Sequence, residues 1–139
     1  MEYKRFGNKI VARIDKGEEV IQELTKIIQA EDVKLGQITG IGATNQATIG
    51  LFNTTTKEYQ ATELNCDLEI APLTGNITRK DSQPYIHIHA NLADQQHKAY
   101  AGHLNKAVIS GTLEAVITVI DAEVGRKFSE EVGLNLLEF

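Results

Sequence analysis

The sequence predicts one α+β domain over residues 1–139. One main helix near residues 18–30 rests on a mostly antiparallel sheet of about seven strands. Three observations carry that expectation. A single stretch repeats its apolar residues at helical spacing. The rest of the chain is written in short β-branched runs separated by turn residues. No second clear amphipathic helix stands between those runs as a crossover, which parallel pairing would need.

In chain order, KIVARI (Lys9–Ile14) alternates well enough to be a strand. Asp15, with Glu18 three residues later, resembles a capping box that opens a helix. In the following EEVIQELTKIIQAE, Val20, Ile21, Leu24, Ile27 and Ile28 share one face, as on a helix resting on a core. The pattern then changes to strands: VKLGQITGIG, QATIGLFN, YQATEL, DLEIAPLTGNIT, PYIHIHANL, KAVISG and TLEAVITVID. Glycines inside them predict bulges or close backbone approach. There is no linker, low-complexity tract or repeat, and the only prolines are Pro72 and Pro84. In the tail, Leu134, Leu136, Leu137 and Phe139 are too apolar for a free end. They are expected to pack on the core or on another subunit.

Composition narrows the function classes. A chain of 139 residues is long enough to bury a core of its own. The net charge is −5, and the basic residues come as scattered pairs: Lys4-Arg5, Arg79-Lys80 and Arg126-Lys127. Such pairs read as solvated surface, which weighs against strong binding of a phosphate backbone. No apolar run reaches membrane-spanning length, and MEYKRFGNKIVARID lacks the apolar run of a signal peptide. No membrane association and a cytoplasmic address are therefore expected. Cys66 is the only cysteine, so an internal disulfide and a cysteine-based zinc site are excluded. It reads as an inert packing residue.

Most catalytic signatures fail. Gly40-Ile41-Gly42-Ala43-Thr44-Asn45 begins like a dinucleotide fingerprint but lacks the third glycine and follows the helix. No phosphate-binding Gly-Lys-Ser/Thr and no Gly-x-Ser-x-Gly elbow occurs, and Ser82, Ser110 and Ser129 stand in no nucleophile context. No nucleotide cofactor is expected.

The histidines are different. All four, His87, His89, His97 and His103, fall between Pro84 and Leu104. In a strand, His87 and His89 point to one face while Ile86 and Ile88 take the other. Their Cα atoms would lie ~6.5–7 Å apart, and two imidazoles at that spacing can converge on one ion. His103 returns in Gly102-His103-Leu104, where the glycine permits tight backbone approach. Three neutral histidines with one open position form the pattern of a zinc site that keeps a water. Zinc on His87, His89 and His103 is the expected cofactor; packing histidines are the plain alternative. His97 sits in the polar run Asp94–Lys98 and is left out as an exposed loop residue. Asp94, Asn91 and Tyr100 are candidate partners for the histidines. Glu114 is the odd residue of an apolar strand. A carboxylate there is either a fourth ligand or proton acceptor, or an edge-strand surface group.

Taken in order, several short motifs resemble one family, the plants-and-prokaryotes conserved (PPC) domain. They are Gly40-Ile41-Gly42-Ala43, Ala47-Thr48-Ile49-Gly50, Leu73-Thr74-Gly75-Asn76-Ile77, His87-Ile88-His89-Ala90, Gly102-His103-Leu104 and Thr112-Leu113-Glu114. The resemblance runs from about Lys9 to Asp121. It implies an antiparallel sheet in a sandwich-like fold, assembly into a homotrimer, and a metal site on His87, His89 and His103. In plants the domain follows an AT-hook that reads the minor groove. This chain has no Arg-Gly-Arg, and Gly125-Arg126-Lys127 is only a fragment of one. Two readings follow. The first is a trimeric zinc-binding domain that meets a small-molecule ligand, including as a metal-dependent lyase or hydrolase. The second is a DNA-associated regulatory module whose histidines are structural.

Overall fold

The computed structural model describes all residues from Met1 to Phe139. Nine strands and one helix follow in order: β1 (Glu2–Phe6), β2 (Lys9–Asp15), α1 (Val20–Ala30), β3 (Gly36–Asn53), β4 (Glu58–Leu64), β5 (Leu68–Lys80), β6 (Gln83–Ala93), β7 (Ala99–Val119), β8 (Gly125–Ser129) and β9 (Leu134–Glu138). Seven strands form one antiparallel sheet in the order β1-β2-β7-β6-β5-β3-β4, and β8 pairs with β9 alone. The expected fold class is therefore the observed one.

Two long strands organise the sheet. β3 and β7 pair from Gly36–Val119 at one end to Gly50–His103 at the other. β5 adds to the first half of β3, β6 adds to β5, and β6 returns to the first residues of β7. The circuit β3–β5–β6–β7–β3 is thereby closed like a small barrel, which removes free edges from its middle. β2, carrying β1, extends the far half of β7, and β4 extends the far half of β3. Both long strands were expected as two pieces. The polar stretch Ala43–Gln46 looks like a break, but the pairing continues through register shifts at Gly40/Gly42, Gly42/Thr44 and Thr44/Gln46. Bulges bend a strand without ending it.

The core follows the two periodicities. On β2, Ile10, Ala12 and Ile14 are buried and the residues between them are not. Val20, Leu24, Ile27 and Ile28 of α1 are fully buried, and the helix lies against β6 and β7. They meet Ile38, Leu73, Ile77, Ile88, Leu92, Ile109, Leu113 and Ile117 in a single cluster. Ile21, expected in that set, is only partly buried.

The helix start differs from the expected one. Glu19 is the N-cap, and its carboxylate accepts from Ile21 N and Gln22 N at 3.1 and 2.8 Å. Glu18 does accept from Asp15 N at 2.8 Å, but this closes the turn before the helix. The Asp15 carboxylate is taken by the Met1 ammonium at 2.8 Å and by Arg13 at 2.7 Å. Neither Cys66 nor the tail packs on the core of the chain. Cys66 is exposed in the β4–β5 connection and packs into no core. The tail does not enter the core either: it folds as β9 against β8, and Leu134, Leu136 and Leu137 stay 39–45% exposed with Phe139 fully so. No helix is long and apolar enough to cross a membrane.

Candidate metal centre

The register of β6 builds the first part of the site. His87 and His89 stand on one face of the strand, while Ile88 and Ala90 go to the core on the other. The antiparallel pairing of β6 with β7 then sets His103 directly opposite His89. Opposed residues of an antiparallel pair share a face, so His103 joins the other two. Of the His, Cys, Asp and Glu side chains, these three alone gather with their donor atoms all within 4.8 Å of one another. The ring centroids are separated by 5.1 Å (His87–His89), 5.2 Å (His87–His103) and 5.7 Å (His89–His103). His87 Nε2 and His89 Nε2 are 3.2 Å apart.

Gly102 and Gly50 make this junction possible. A Cβ on Gly102 would come within 2.8 Å of the Gly50 carbonyl oxygen, closer than a side-chain carbon can approach. Gly50 is paired with His103 across β3 and β7, and the ring of Tyr59 from β4 lies over it. A Cβ on Gly50 would sit 2.0 Å from the Tyr59 hydroxyl. Held there, Tyr59 packs edge-on to His103 at 6.3 Å and donates to Asn105 Oδ1 at 2.5 Å.

The rings sit in a cavity of about 500 Å³. Its walls include Leu51 and Phe52 of β3, Tyr59, Tyr85 and the β8–β9 hairpin, which contributes Arg126 and Leu134. Burial shapes the titration of the cluster. His87 is pushed down from the ordinary 6.5 to about 4, by desolvation first and then by the charges of His103, His89 and Arg126. His103 is also lowered, by desolvation first and then by His89. Both rings are therefore neutral at pH 7, with lone pairs free to donate.

The other sequence candidates lie apart. Glu114 is exposed on β7, eleven positions beyond His103, opposite Arg13 on one side and Ile41 on the other. That is roughly 35 Å of extended strand. It joins the histidines neither as ligand nor as base within the chain. His97 is exposed in the β6–β7 turn, at a φ of 60°. Asp94 spends its carboxylate on the same turn, accepting from Gln96 N, Lys98 N and the Tyr100 hydroxyl. Asn91 donates to the Ala71 carbonyl. None of these three side chains hydrogen bonds His87, His89 or His103. Sequence reasoning missed Arg126, Tyr59 and Tyr85, and it read Arg126 as surface. Its structural partners Asn76 and Thr78 are far away in the chain, and no local pattern marks them.

The molecule is thus a small α+β domain, a closed antiparallel sheet with one helix that carries a cluster of three imidazoles in a cavity. The chain belongs to the Plants and Prokaryotes Conserved (PCC) domain family, whose model matches residues 1–121. Among solved structures, a protein of Bacteroides thetaiotaomicron provisionally described as DNA-binding is similar over 99% of this chain and 96% of its own, at 33% identity and TM-score 0.97. A metal-containing protein of Archaeoglobus fulgidus is similar over 99% and 97%, at 31% identity and TM-score 0.88. A plant- and prokaryote-conserved protein of Pyrococcus horikoshii is similar over 99% and 94%, at 26% identity and TM-score 0.86. No curated protein matches the chain.

Proposed function

We propose that this protein is a cytoplasmic, homotrimeric domain that holds zinc on His87, His89 and His103 and presents it to a small molecule in the adjoining cavity. The observation that carries the reading is the spacing of the ring nitrogens. Ligands 2.0–2.1 Å from a tetrahedral ion lie about 3.3 Å from one another. His87 Nε2 and His89 Nε2 stand 3.2 Å apart. The donor set agrees: an all-imidazole site suits a first-row transition ion and not magnesium or calcium. Desolvation keeps His87 and His103 unprotonated, so a metal need not displace protons from them at neutral pH. The Archaeoglobus relative is itself described as metal-containing. Bound zinc would supply a Lewis acid and a water of lowered pKa, the chemistry of a lyase or hydrolase. The trimer rests on family membership and on the apolar side chains left uncovered on the outer sheet face and tail, among them Val11, Ile41 and Leu137.

Metal analysis of untagged protein from zinc-replete culture is the test. About one zinc per chain is expected for the native protein and under a tenth of that for His89→Ala. Equally low zinc in both removes the reading. Light scattering on a sizing column should give three times the 15.3 kDa chain mass. A monomer at micromolar concentration removes the trimer.

A second reading, a DNA-associated module with structural histidines, draws on the description of the Bacteroides relative. It predicts DNA retention that weakens steeply between ~50 and ~200 mM salt. The net charge of −5 argues against it, and no retention at the lower salt would remove it.

A further inference from the structure

Arg126 is a partly buried cation without an anion. It enters from β8, and three of its N–H groups are held by neutral atoms: Nε donates to Thr78 Oγ1 at 2.8 Å, one terminal nitrogen to Asn135 O at 2.9 Å, the other to Asn76 Oδ1 at 2.8 Å. Its guanidinium lies 4.5 Å from the centre of the Tyr85 ring. No carboxylate comes within salt-bridge distance; the neighbouring Lys127 takes Glu138 instead. A guanidinium carries five N–H donors, so two remain unspent.

The register fixes where this charge sits. Asn76 and Thr78 are directly opposite His87 and Tyr85 in the β5–β6 ladder. Arg126 is therefore tied to the histidine face of the sheet, and it lines the same cavity as the three rings. Desolvation lowers its proton affinity, and its charge helps to depress His87. The remaining walls are largely apolar, with Leu51, Phe52 and Leu134 among them. An uncompensated, prepositioned guanidinium in such a site favours a planar anion.

We propose that the cavity takes a small carboxylate with an apolar body, its carboxylate paired with the two unspent N–H groups of Arg126 and its body against Leu51, Phe52 and Leu134. This rests on the cavity being the ligand site, as above, but not on the metal. An acidic partner residue filling the place in a trimer, or a purely structural Arg126, are the competing outcomes.

The test uses the full chain stripped of metal with EDTA, with benzoate as probe and benzamide as its neutral counterpart. Affinities are measured by calorimetry in every variant, and where the arginine is present binding is also followed on the Arg126 Nε–H resonance, identified by its loss in Arg126→Gln. Benzoate should shift the signal saturably and bind at least tenfold more tightly than benzamide. Arg126→Gln should weaken benzoate at least tenfold. Because that variant also loosens the hairpin, Thr78→Val serves beside it: it removes one anchoring bond but keeps the charge, and it should retain the preference for benzoate. Equal binding of the two probes, or none of either, overturns the proposal. So does a Thr78→Val that loses the preference as fully as Arg126→Gln, for Arg126 would then be a clamp alone. The metal-free format separates the two readings: a chain that never takes zinc can still pass, and one that holds zinc can still fail.

Discussion

The two ends of β7 are made on the same plan and do opposite things. Toward Val119 the strand lies between β2 and β3, and its alternate residues Leu113, Ala115 and Ile117 are sealed in the core. Toward Ala99 it lies between β6 and β3, and its core side is again filled, by Leu104. What differs is the outer face. At one end it carries exposed groups such as Glu114. At the other it carries His103, facing two more imidazoles under a hairpin. The barrel closes through the inner face, which leaves the outer face available to hold chemistry.

The largest expected effect sharpens that contrast. Leu113→Ala should destabilise the metal-free protein by about 2–5 kcal/mol in urea titrations, through lost burial plus a cavity. His103→Ala should change it by less than about 1 kcal/mol. Comparable losses would mean that the rings hold the barrel together. Next in size is zinc itself. At a free concentration a hundredfold above its dissociation constant it should stabilise the native chain by about 2.7 kcal/mol, or roughly 10 °C in Tm, and leave His89→Ala unmoved.

A smaller effect should appear with pH. The His87 pKa is near 4 in the folded chain and near 6.5 when unfolded, so below pH 6.5 the unfolded state takes up the proton first. Stability of the metal-free protein is thus full above about 6.5 and lost progressively toward pH 4. His103, also lowered, adds to the same slope. Melts of the native chain and His87→Gln across that range should diverge, the variant showing the shallower decline. Parallel curves would show that burial of the ring carries no such linkage. The smallest effect is expected at Gly50→Ala. Its Cβ would force the partly exposed Tyr59 ring outward and break the bond to Asn105, at a cost of about 1 kcal/mol. The readout is a shifted His103 ring signal in NMR spectra.

How much of this was legible depends on range. The buried face of α1 and the alternation of β2 are local patterns, and they read correctly. So did the pairing of His87 with His89, which needs only the two-residue period of a strand. That His103 meets them required the β6–β7 turn to be tight, and Asp94, accepting from two backbone N–H groups in it, supplies that. β1 was not visible, because all of Glu2–Phe6 is exposed and an edge strand open on both faces shows no alternation. The fusion of four expected strands into β3 and β7 was hidden by bulges, whose glycine and polar residues look like turns. Arg126 was hidden by distance, since what makes it special is a neutral cradle on β5.

The family match stops at Asp121, and the β8–β9 hairpin lies wholly beyond it. The imidazoles lie inside the matched span, whereas the guanidinium overlooking them comes from a hairpin outside it, tied to the sheet through Asn76 and Thr78. Substitutions confined to that hairpin would alter what the cavity offers a guest and leave the three rings and the barrel beneath them in place.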